Sequence, residues 1–391
     1  MTARPRAWDV PPVAPLAALG TLGEQIATDN GQSSEVTRLS GAVTGQDLLF
    51  KRYKTPLADT DAHRLDRLVA FGRSDTAAGR PVREVLLART SWPVARVTGR
   101  ADETIGCLIP LAPDAYRSPS GGFREIDTLA LPDLRLARNG TPPTPEQRLT
   151  ACRSLVGIAA ALEQRRLVYS DWNYANAFWS PADHSVHLID IDGCGEETAP
   201  DIHQPGWEDH LARPGAAADP CTDRYRVALL TARCLTGVRS LPELLHTLAD
   251  PSAGFPRDAA ELLLDMVWAA DRAARPRSSA LLAALSGGPL VRFPVARAPL
   301  PPRPSVTRSV TAQPLRSVIT RPPDRTTSTH RTTSTHRTTS TRRTAQAGRP
   351  ASSRPPGRRP RQPRGDRTGA WIGLAVLFTV VVAALIVLAL R

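Results

Sequence analysis

One segment constrains the fold more than any other part of this chain. Residues 167–193 read LVYSDWNYANAFWSPADHSVHLIDIDG, and carboxylate and amide side chains interrupt the apolar runs. Asp171 and Asn176 lie in the first half, and Asp190 and Asp192 follow a strand-like run in the second. Carboxylates between buried strands need a charged or hydrogen-bonding partner, because their desolvation is costly. The segment therefore predicts a loop and a hairpin that together form a polar, cation-binding site.

The residues on either side of this segment differ in their hydrophobic periodicity. Before it, short apolar runs separated by turns predict strands at Val36–Leu39, Asp47–Tyr53, Val94–Val97 and Thr104–Ile109 around one helix at Asp61–Phe71. From Pro145 onward apolar residues recur at helical spacing, with Thr144 as the expected N-cap. Further helices are predicted at Arg224–Leu235, Leu241–Leu248, Arg257–Ala270 and Ser278–Leu285. Residues 19–290 are therefore predicted to form one α+β domain, with a small strand-rich lobe followed by a larger helical lobe.

The polar residues of this segment resemble the catalytic loop and the metal-binding segment of bacterial eukaryotic-like protein kinases. Asp171 and Asn176 keep the Asp-x-x-x-x-Asn spacing, and Asp190 follows the hairpin. The resemblance implies a bilobal, protein-kinase-like fold that uses ATP and Mg²⁺. It implies that Asp171 accepts the proton of the attacking hydroxyl and that Asn176 and Asp190 hold Mg²⁺. The structural alternative is a turn aspartate, a capping asparagine and a strand-end aspartate.

Lysine usage adds a second indication. The chain has only two lysines, Lys51 and Lys54, and Lys51 lies in a strand that resembles the kinase strand whose lysine contacts the ATP phosphates. A compact ammonium fits between two phosphates better than a guanidinium fork does. Lys51 is therefore the expected catalytic and nucleotide-binding lysine, with an ordinary surface lysine as the alternative. The glycine-rich phosphate loop of the family corresponds to Ala27–Val36, where Gly31 is the expected nucleotide-binding glycine.

Two further motifs resemble structural parts of kinases. Asp223, in the sequence Thr-Asp-Arg-Tyr, resembles the aspartate of the buried helix below the active site, which accepts backbone N–H bonds from the catalytic loop. Arg275, in an Arg-Pro turn, resembles the arginine of a buried ion pair. Its expected partner is Glu208 or Asp209.

The sequence also departs from the family. Gly31 is the only clear glycine of the phosphate loop, and its neighbours crowd a site where backbone N–H groups should face phosphate. The predicted helix Asp61–Phe71 has no glutamate to pair with Lys51, and it offers only the shorter Asp61 or Asp66. Such departures keep a second function open beside catalysis, since a kinase-like fold does not guarantee phosphotransfer.

Three functions are thus compatible with the sequence. The first is a membrane-anchored protein Ser/Thr kinase that transfers the γ-phosphate of ATP to a protein substrate. The second is a pseudokinase that binds nucleotide or a partner and acts as a signalling scaffold. The third is a small-molecule phosphotransferase, which shares the Asp-x-x-x-x-Asn loop but generally lacks the motifs around Asp223 and Arg275. Asn173 stands where Ser/Thr kinases usually have a lysine, which leaves the phosphate acceptor open.

The basic character of the chain belongs to a linker. The formal net charge is +13, yet residues 1–290 contain more acidic than basic residues, and arginines after residue 290 supply the excess. This distribution argues against a nucleic-acid partner for the globular domain. Residues 291–368, rich in Pro, Arg and Thr and with a repeated RTTSTH motif, are predicted to be a disordered linker. Two roles stay open for it: a solvated spacer, or a spacer whose arginines also attract anionic lipid headgroups. Residues 1–18 are expected to be an N-terminal tail.

The C-terminal residues predict a membrane anchor. Trp371 to Leu390 is an uncharged run long enough for one helix to cross the hydrocarbon core of a lipid bilayer. Arginines precede this run closely, and positive residues remain on the cytoplasmic side. We therefore expect residues 369–391 to be a single-pass, C-terminal anchor in the cell membrane, with the kinase-like domain in the cytoplasm.

Overall fold

The computed structural model describes residues 10–30, 32–40, 47–132, 141–202 and 204–303. Over these ranges the protein is a mixed α+β structure with a strand-rich first part and a helical second part, which confirms the predicted class and order. Gly31 lies outside the described residues, as do the linker beyond residue 303 and the predicted anchor, Trp371 to Leu390. None of the helices in the described ranges combines the length and the apolar character needed to cross a bilayer.

The first part is built on a six-stranded sheet with two helices. Its strands are β1 (Val13–Pro15), β2 (Thr21–Asn30), β3 (Ser33–Ser40), β4 (Leu48–Tyr53), β5 (Ala95–Thr98) and β6 (Thr104–Pro110), and its helices are α1 (Asp59–Arg73) and α2 (Arg80–Arg89). The spatial order is β1-β5-β6-β4-β3-β2. Only the β1–β5 pair of this sheet is parallel. Strand β4 is therefore internal, with both edges hydrogen-bonded.

The alternation of side chains along β4 decides where its lysine lies. Successive residues of a strand face opposite sides of the sheet. Leu48 and Phe50 pack into the apolar cluster on one face. Leu49 and Tyr53 pack on the other face, together with Leu65 of α1. Lys51 shares this second parity, so its side chain lies on the face that α1 covers.

In the described residues, the second part contains five α-helices and four short strands. The helices are α3 (Pro145–Gln164), α4 (Pro220–Thr236), α5 (Leu241–Ala249), α6 (Arg257–Val267) and α7 (Ser278–Leu285). The strands are β7 (Leu167–Val168), β8 (Ala177–Trp179), β9 (Val186–Leu188) and β10 (Gly195–Glu196), with β7 paired to β10 and β8 to β9. Helices α3 and α4 pack against each other and form the centre of the largest apolar cluster.

The predicted start of α3 is confirmed in detail. Thr144 Oγ1 accepts a hydrogen bond from the Gln147 backbone N–H, and Gln147 Oε1 accepts one from the Thr144 N–H. This reciprocal pair is a capping box, which satisfies two backbone donors that the first helical turn leaves unpaired.

Two helix predictions need correction. Helix α2 was not predicted. Its buried residues are Arg83 and Leu86, and Val82 and Leu87 pack partly buried against the largest apolar cluster. The helix predicted to run to Ala270 ends at Val267. Beyond it the backbone pairs with an extended segment, since the Ala270 N–H donates to the Ala296 carbonyl. That segment belongs to the first 13 residues of the predicted linker, 291–303, which the structure describes in contact with the helical part.

Candidate active site

Lys51 lies in a pocket of carboxylates. Its Nζ atom is 2.8 Å from Oδ1 of Asp192 and 3.1 Å from Oδ1 of Asp190. The Tyr53 hydroxyl, two residues along β4 on the same face, donates to Oδ2 of Asp192 at 2.9 Å. We call these four residues, Lys51, Tyr53, Asp190 and Asp192, the lysine cluster.

Burial and charge act in opposite directions in the lysine cluster. Burial alone would lower the pKa of Lys51, but the carboxylates of Asp192 and Asp190 outweigh it, and the pKa is raised. Burial would raise the pKa of Asp192, but the Lys51 ammonium and the Tyr53 hydroxyl hold it below its usual value. The buried pair is therefore ionised on both sides.

The two aspartates of the cluster differ in exposure. The side chain of Asp192 is 4% exposed, whereas that of Asp190 is 32% exposed. A short 3₁₀ turn, Ile191–Gly193, follows Asp190, whose backbone adopts the left-handed conformation with φ 58°. Aspartate tolerates this conformation better than most residues. The turn buries Ile191 and leaves Asp190 accessible from solvent.

Helix α1 supplies no carboxylate to Lys51. Asp61 pairs with Arg64 of the same helix at 2.8 Å, and Asp66 pairs with Arg96 of β5 at 2.7 Å. Both candidates that the sequence offered as the lysine's partner are therefore engaged elsewhere. Asp192, which no local pattern in the sequence links to Lys51, takes this position.

The β8–β9 hairpin brings Asn176 to Asp190. Ala177 pairs with Leu188 at the end of the ladder, and the Ile189 N–H donates to the Asn176 carbonyl at 2.9 Å. The residue before Asp190 is thus hydrogen-bonded to Asn176. The Asn176 side chain turns to the preceding loop, where Nδ2 donates to the Asp171 carbonyl at 3.1 Å.

Asp171 is held by two amide side chains. Its Oδ1 accepts from Asn173 Nδ2 at 2.8 Å and from Gln204 Nε2 at 2.6 Å. Burial raises the pKa of Asp171, although hydrogen bonds from Asn176 and Asn173 act against the shift. The Asn173 Oδ1 atom accepts from the backbone N–H groups of residues 175 and 176, so this asparagine also shapes the turn.

Buried charged residues support this loop from below. Both oxygens of Asp223 accept backbone N–H bonds, from Tyr169 and from Ser170, each at 2.7 Å. This is the arrangement that the resemblance implied. Burial raises the pKa of Asp223 to about 6, although these N–H donors favour the ionised form. Arg226 donates to the Ser170 carbonyl at 2.6 Å and to Asp201 at 2.7 Å, which ties the loop to the segment after the hairpin.

The predicted ion pair of Arg275 is also present, and its partner is Asp209. Two nitrogens of Arg275 lie 2.6 and 2.7 Å from the two carboxylate oxygens of Asp209, and both side chains are almost completely buried. Such a parallel, two-point contact is the strongest form of a carboxylate–guanidinium pair. We call Asp209, Asp223, Arg226 and Arg275 the loop-support network.

Comparisons with known proteins add little to this geometry. No family model matches the chain, and no curated protein matches it. Among solved structures, the chain is similar to the ROP18 kinase domain in complex with AMP-PNP and sucrose. The identity is 16%, the TM-score is 0.48, and the match covers 68% of this chain and 79% of that chain. The case for a function therefore depends on the site itself.

Four of the five predicted site residues are linked through contacts and one stretch of backbone. Lys51 touches Asp190, the residue before Asp190 binds the Asn176 carbonyl, and the Asn176 side chain binds the backbone carbonyl of Asp171. The fifth, Gly31, lies outside the described residues. The β2 and β3 strands that flank it form a hairpin, with Asn30 opposite Ser33.

Three contributors were missed at the sequence level: Tyr53, Asp192 and Gln204. Tyr53 had a local signal, because it lies two residues after Lys51 and so shares its face of β4. Asp192 had a weaker local signal, because it lies two residues after the predicted metal ligand Asp190. Gln204 had none, since its contact with Asp171 joins residues that are 33 positions apart.

The donor set matches the chemistry of Mg²⁺ only if phosphate oxygens complete it. Within the described ranges, no three His, Cys, Asp or Glu side chains cluster as a metal site. Mg²⁺ is usually bound by one or two protein groups together with water and phosphate oxygens. The carboxylate of Asp190 and the amide oxygen of Asn176 fit that pattern. The Asn176 Nδ2 donates to the Asp171 carbonyl, so it is the amide oxygen of this side chain that would bind the metal.

Proposed function

We propose that this chain is a protein kinase that transfers the γ-phosphate of ATP to serine or threonine hydroxyls of a protein substrate, with Mg²⁺ as cofactor. The observation that carries the proposal is the contact of the Lys51 ammonium with Asp190, within the same network that binds Asn176 to Asp171. Phosphoryl transfer depends mostly on positioning and on neutralising phosphate charge, and these groups supply both.

The exposure of the two aspartates separates their roles. Asp190 is accessible, so it can take a metal ion together with Asn176. Asp192 is buried against Lys51 and Tyr53 and remains with the lysine. The lysine cluster holds two carboxylates and one ammonium, and this excess of negative charge favours a divalent cation. When bound, Mg²⁺ would neutralise phosphate charge, while Lys51 would bind phosphate oxygens directly.

Asp171 is the proposed base. Two amide donors, on Asn173 and Gln204, bind the same oxygen, Oδ1, and orient the carboxylate. Oδ2 is the oxygen assigned to accept a proton from a substrate hydroxyl. A raised pKa makes a carboxylate a better proton acceptor, provided that it stays ionised at the working pH.

Two observations favour a protein substrate over a small molecule. Asp223 binds the backbone of the catalytic loop, and Arg275 binds Asp209. These features resemble protein kinases, and small-molecule phosphotransferases of similar loop sequence generally lack their motifs. We also propose that Trp371 to Leu390 anchors the protein in the cell membrane, that the arginine-rich linker binds anionic lipid headgroups, and that the domain faces the cytoplasm.

A pseudokinase is the second candidate. The contacts that favour it are the enclosure of Lys51 by two carboxylates and the short bond from Gln204 to Asp171. A bound nucleotide would have to displace Asp190 from Lys51. A substrate hydroxyl would have to approach Asp171 beside the Gln204 side chain. Both contacts therefore work against catalysis.

Turnover of ATP decides between the candidates. The experiment follows phosphate transfer from radiolabelled ATP, with Mg²⁺ and then with EDTA, in the full-length protein and in Lys51→Met and Asp190→Asn. Lys54→Met is the matched control, because it removes the other, exposed lysine of the chain. We expect Mg²⁺-dependent autophosphorylation or substrate phosphorylation that both site variants lose and the control keeps. ATP-dependent thermal stabilisation without any turnover would instead favour the pseudokinase.

A further inference from the structure

We infer that Asp192 is the positioning residue for Lys51, and that the lysine is thereby independent of any carboxylate of helix α1. This inference rests on the proposed function, because it assigns a role in placing the phosphate-binding ammonium. It concerns a residue two positions after the proposed metal ligand, on the 3₁₀ turn and not on a helix.

The first argument is hydrogen-bond satisfaction. One oxygen of Asp192 binds Lys51 Nζ and the other binds the Tyr53 hydroxyl. Lys51 and Tyr53 lie on one face of an internal strand, so both donors come from a rigid element. A buried carboxylate with both oxygens occupied holds its partner in one position, because moving would leave a charge unpaired.

The second argument is what helix α1 presents to the cluster. Leu65 of α1 is completely buried against Leu49 and Tyr53, on the face of β4 that carries Lys51. The helix therefore contributes an apolar contact at this place. Of its three acids, Asp61 pairs with Arg64 and Asp66 with Arg96, and Asp59 is exposed in the first turn.

The consequence is that the position of Lys51 is coupled to the turn that carries the proposed metal ligand, and not to helix α1. Asp190 and Asp192 belong to one turn, so the proposed metal ligand and the lysine's anchor move together. A shift of helix α1 that kept Leu65 buried would leave the Lys51–Asp192 pair intact. A shift of the turn would disturb the metal ligand and the lysine at once.

Selective lysine labelling tests this directly, because Lys54 is an internal reference in the same chain. Amines of the full-length protein are acetylated briefly with N-hydroxysuccinimidyl acetate, and mass spectrometry gives the reactivity of Lys51 relative to Lys54. In the wild type we expect low reactivity at Lys51. Asp192→Asn should raise it, Tyr53→Phe should raise it less, and the matched helix variants Asp61→Ala and Asp66→Ala should leave it unchanged.

General loosening of the fold must be separated from local release. Cys152 and Cys234 are buried in the helical part, so their thiol labelling reports loss of packing far from the lysine cluster. The inference holds if Lys51 becomes reactive in Asp192→Asn or Tyr53→Phe while these thiols stay protected. It is overturned if Lys51 stays unreactive in both, or if Asp61→Ala or Asp66→Ala releases it.

Kinetics separate this inference from the proposed function. If the protein is a kinase, Asp192→Asn should raise KM for ATP and lower kcat/KM by about tenfold or more, since small displacements of a positioning group cost this much. An unchanged KM and kcat in Asp192→Asn, beside an inactive Lys51→Met, would overturn the inference alone. Absence of turnover in the wild type would refute the proposed function, and the labelling ratio would still decide the role of Asp192.

Discussion

The lysine cluster and the loop-support network are both charged and largely buried, but they differ in the balance of positive and negative charges. The lysine cluster has two carboxylates for one ammonium, and one of its carboxylates, Asp190, is accessible. In the loop-support network Arg275 is matched by Asp209, and Asp223 is satisfied by backbone N–H groups. Unbalanced, accessible charge suits the exchange of ligands, whereas balanced and buried charge suits rigidity. Under the proposed function, ligands exchange at the first site, and the second holds the loop in place.

The largest effect on activity should come from removing the proposed base, Asp171. We expect Asp171→Asn to lower kcat by about 10²–10⁴-fold, because general-base catalysis contributes that much. Nucleotide binding should persist, since Lys51 and Asp190 are unchanged. Single-turnover phosphorylation with a parallel nucleotide-binding assay measures both quantities. Equal loss of binding and turnover would mean that Asp171 supports the fold of the site and does not act as a base.

Breaking the loop-support network should cost stability. Arg275→Met removes the two-point partner of buried Asp209 and leaves it the more distant Arg272, at 3.6 Å, so we expect a loss of about 3 kcal/mol in the free energy of unfolding. Arg277→Met, two residues further on, is the matched control because Arg277 is exposed. Denaturant unfolding followed by tryptophan fluorescence measures the difference. Similar losses in both variants would remove the distinction between the two regions.

The hairpin that carries Asp190 should make stability depend on pH. Burial lowers the pKa of His187 in β9 to about 3, and its Nε2 lies 3.1 Å from Ser91 Oγ. Free histidine titrates near pH 6.5, so between about pH 6.5 and 3 the unfolded state binds the extra proton. The free energy of unfolding should therefore decrease as pH falls below 6.5, by at most about 1.4 kcal/mol per pH unit from this group.

Urea unfolding between pH 7 and pH 5 checks this dependence. In His187→Gln, which keeps a hydrogen-bonding amide but cannot be protonated, the contribution should be absent. The informative quantity is the slope of wild type minus variant, because other groups titrate in both proteins. Parallel slopes would show that His187 is not buried in its neutral form.

The smallest effect should come from the edge of the loop-support network. Asp201 pairs with Arg226 at 2.7 Å, but its side chain is partly exposed. We expect Asp201→Ala to cost at most about 1 kcal/mol, as partly exposed pairs usually do. Arg226→Ala should cost more, because Arg226 also binds the Ser170 carbonyl from a buried position. Thermal unfolding of the two variants ranks them, and the reverse order would contradict this account.

Local patterns predicted much of the fold. The short apolar run within Asp47–Tyr53 predicted strand β4, and Thr144 predicted the start of α3, because both signals act within a few residues. Helix α2 was missed, although Val82, Leu86 and Leu87 pack against the largest apolar cluster, because the helix is only 10 residues long and its other buried residue is a charged one, Arg83. The end of α6 was misplaced because pairing with residues of the predicted linker, which are distant in sequence, competes with the helix.

The sequence by itself determined which chemical groups are present and which of them lie on short, regular elements. It determined that Lys51 lies on a strand, that Asp190 follows a hairpin and that Asp171 and Asn176 share a loop. Only the tertiary structure decided the pairing of charges. It pairs Lys51 with Asp192, 141 residues away in the sequence, and Arg275 with Asp209, 66 residues away. The physical reason is that a charge pair depends on distance in space and on burial, and local sequence preferences carry neither.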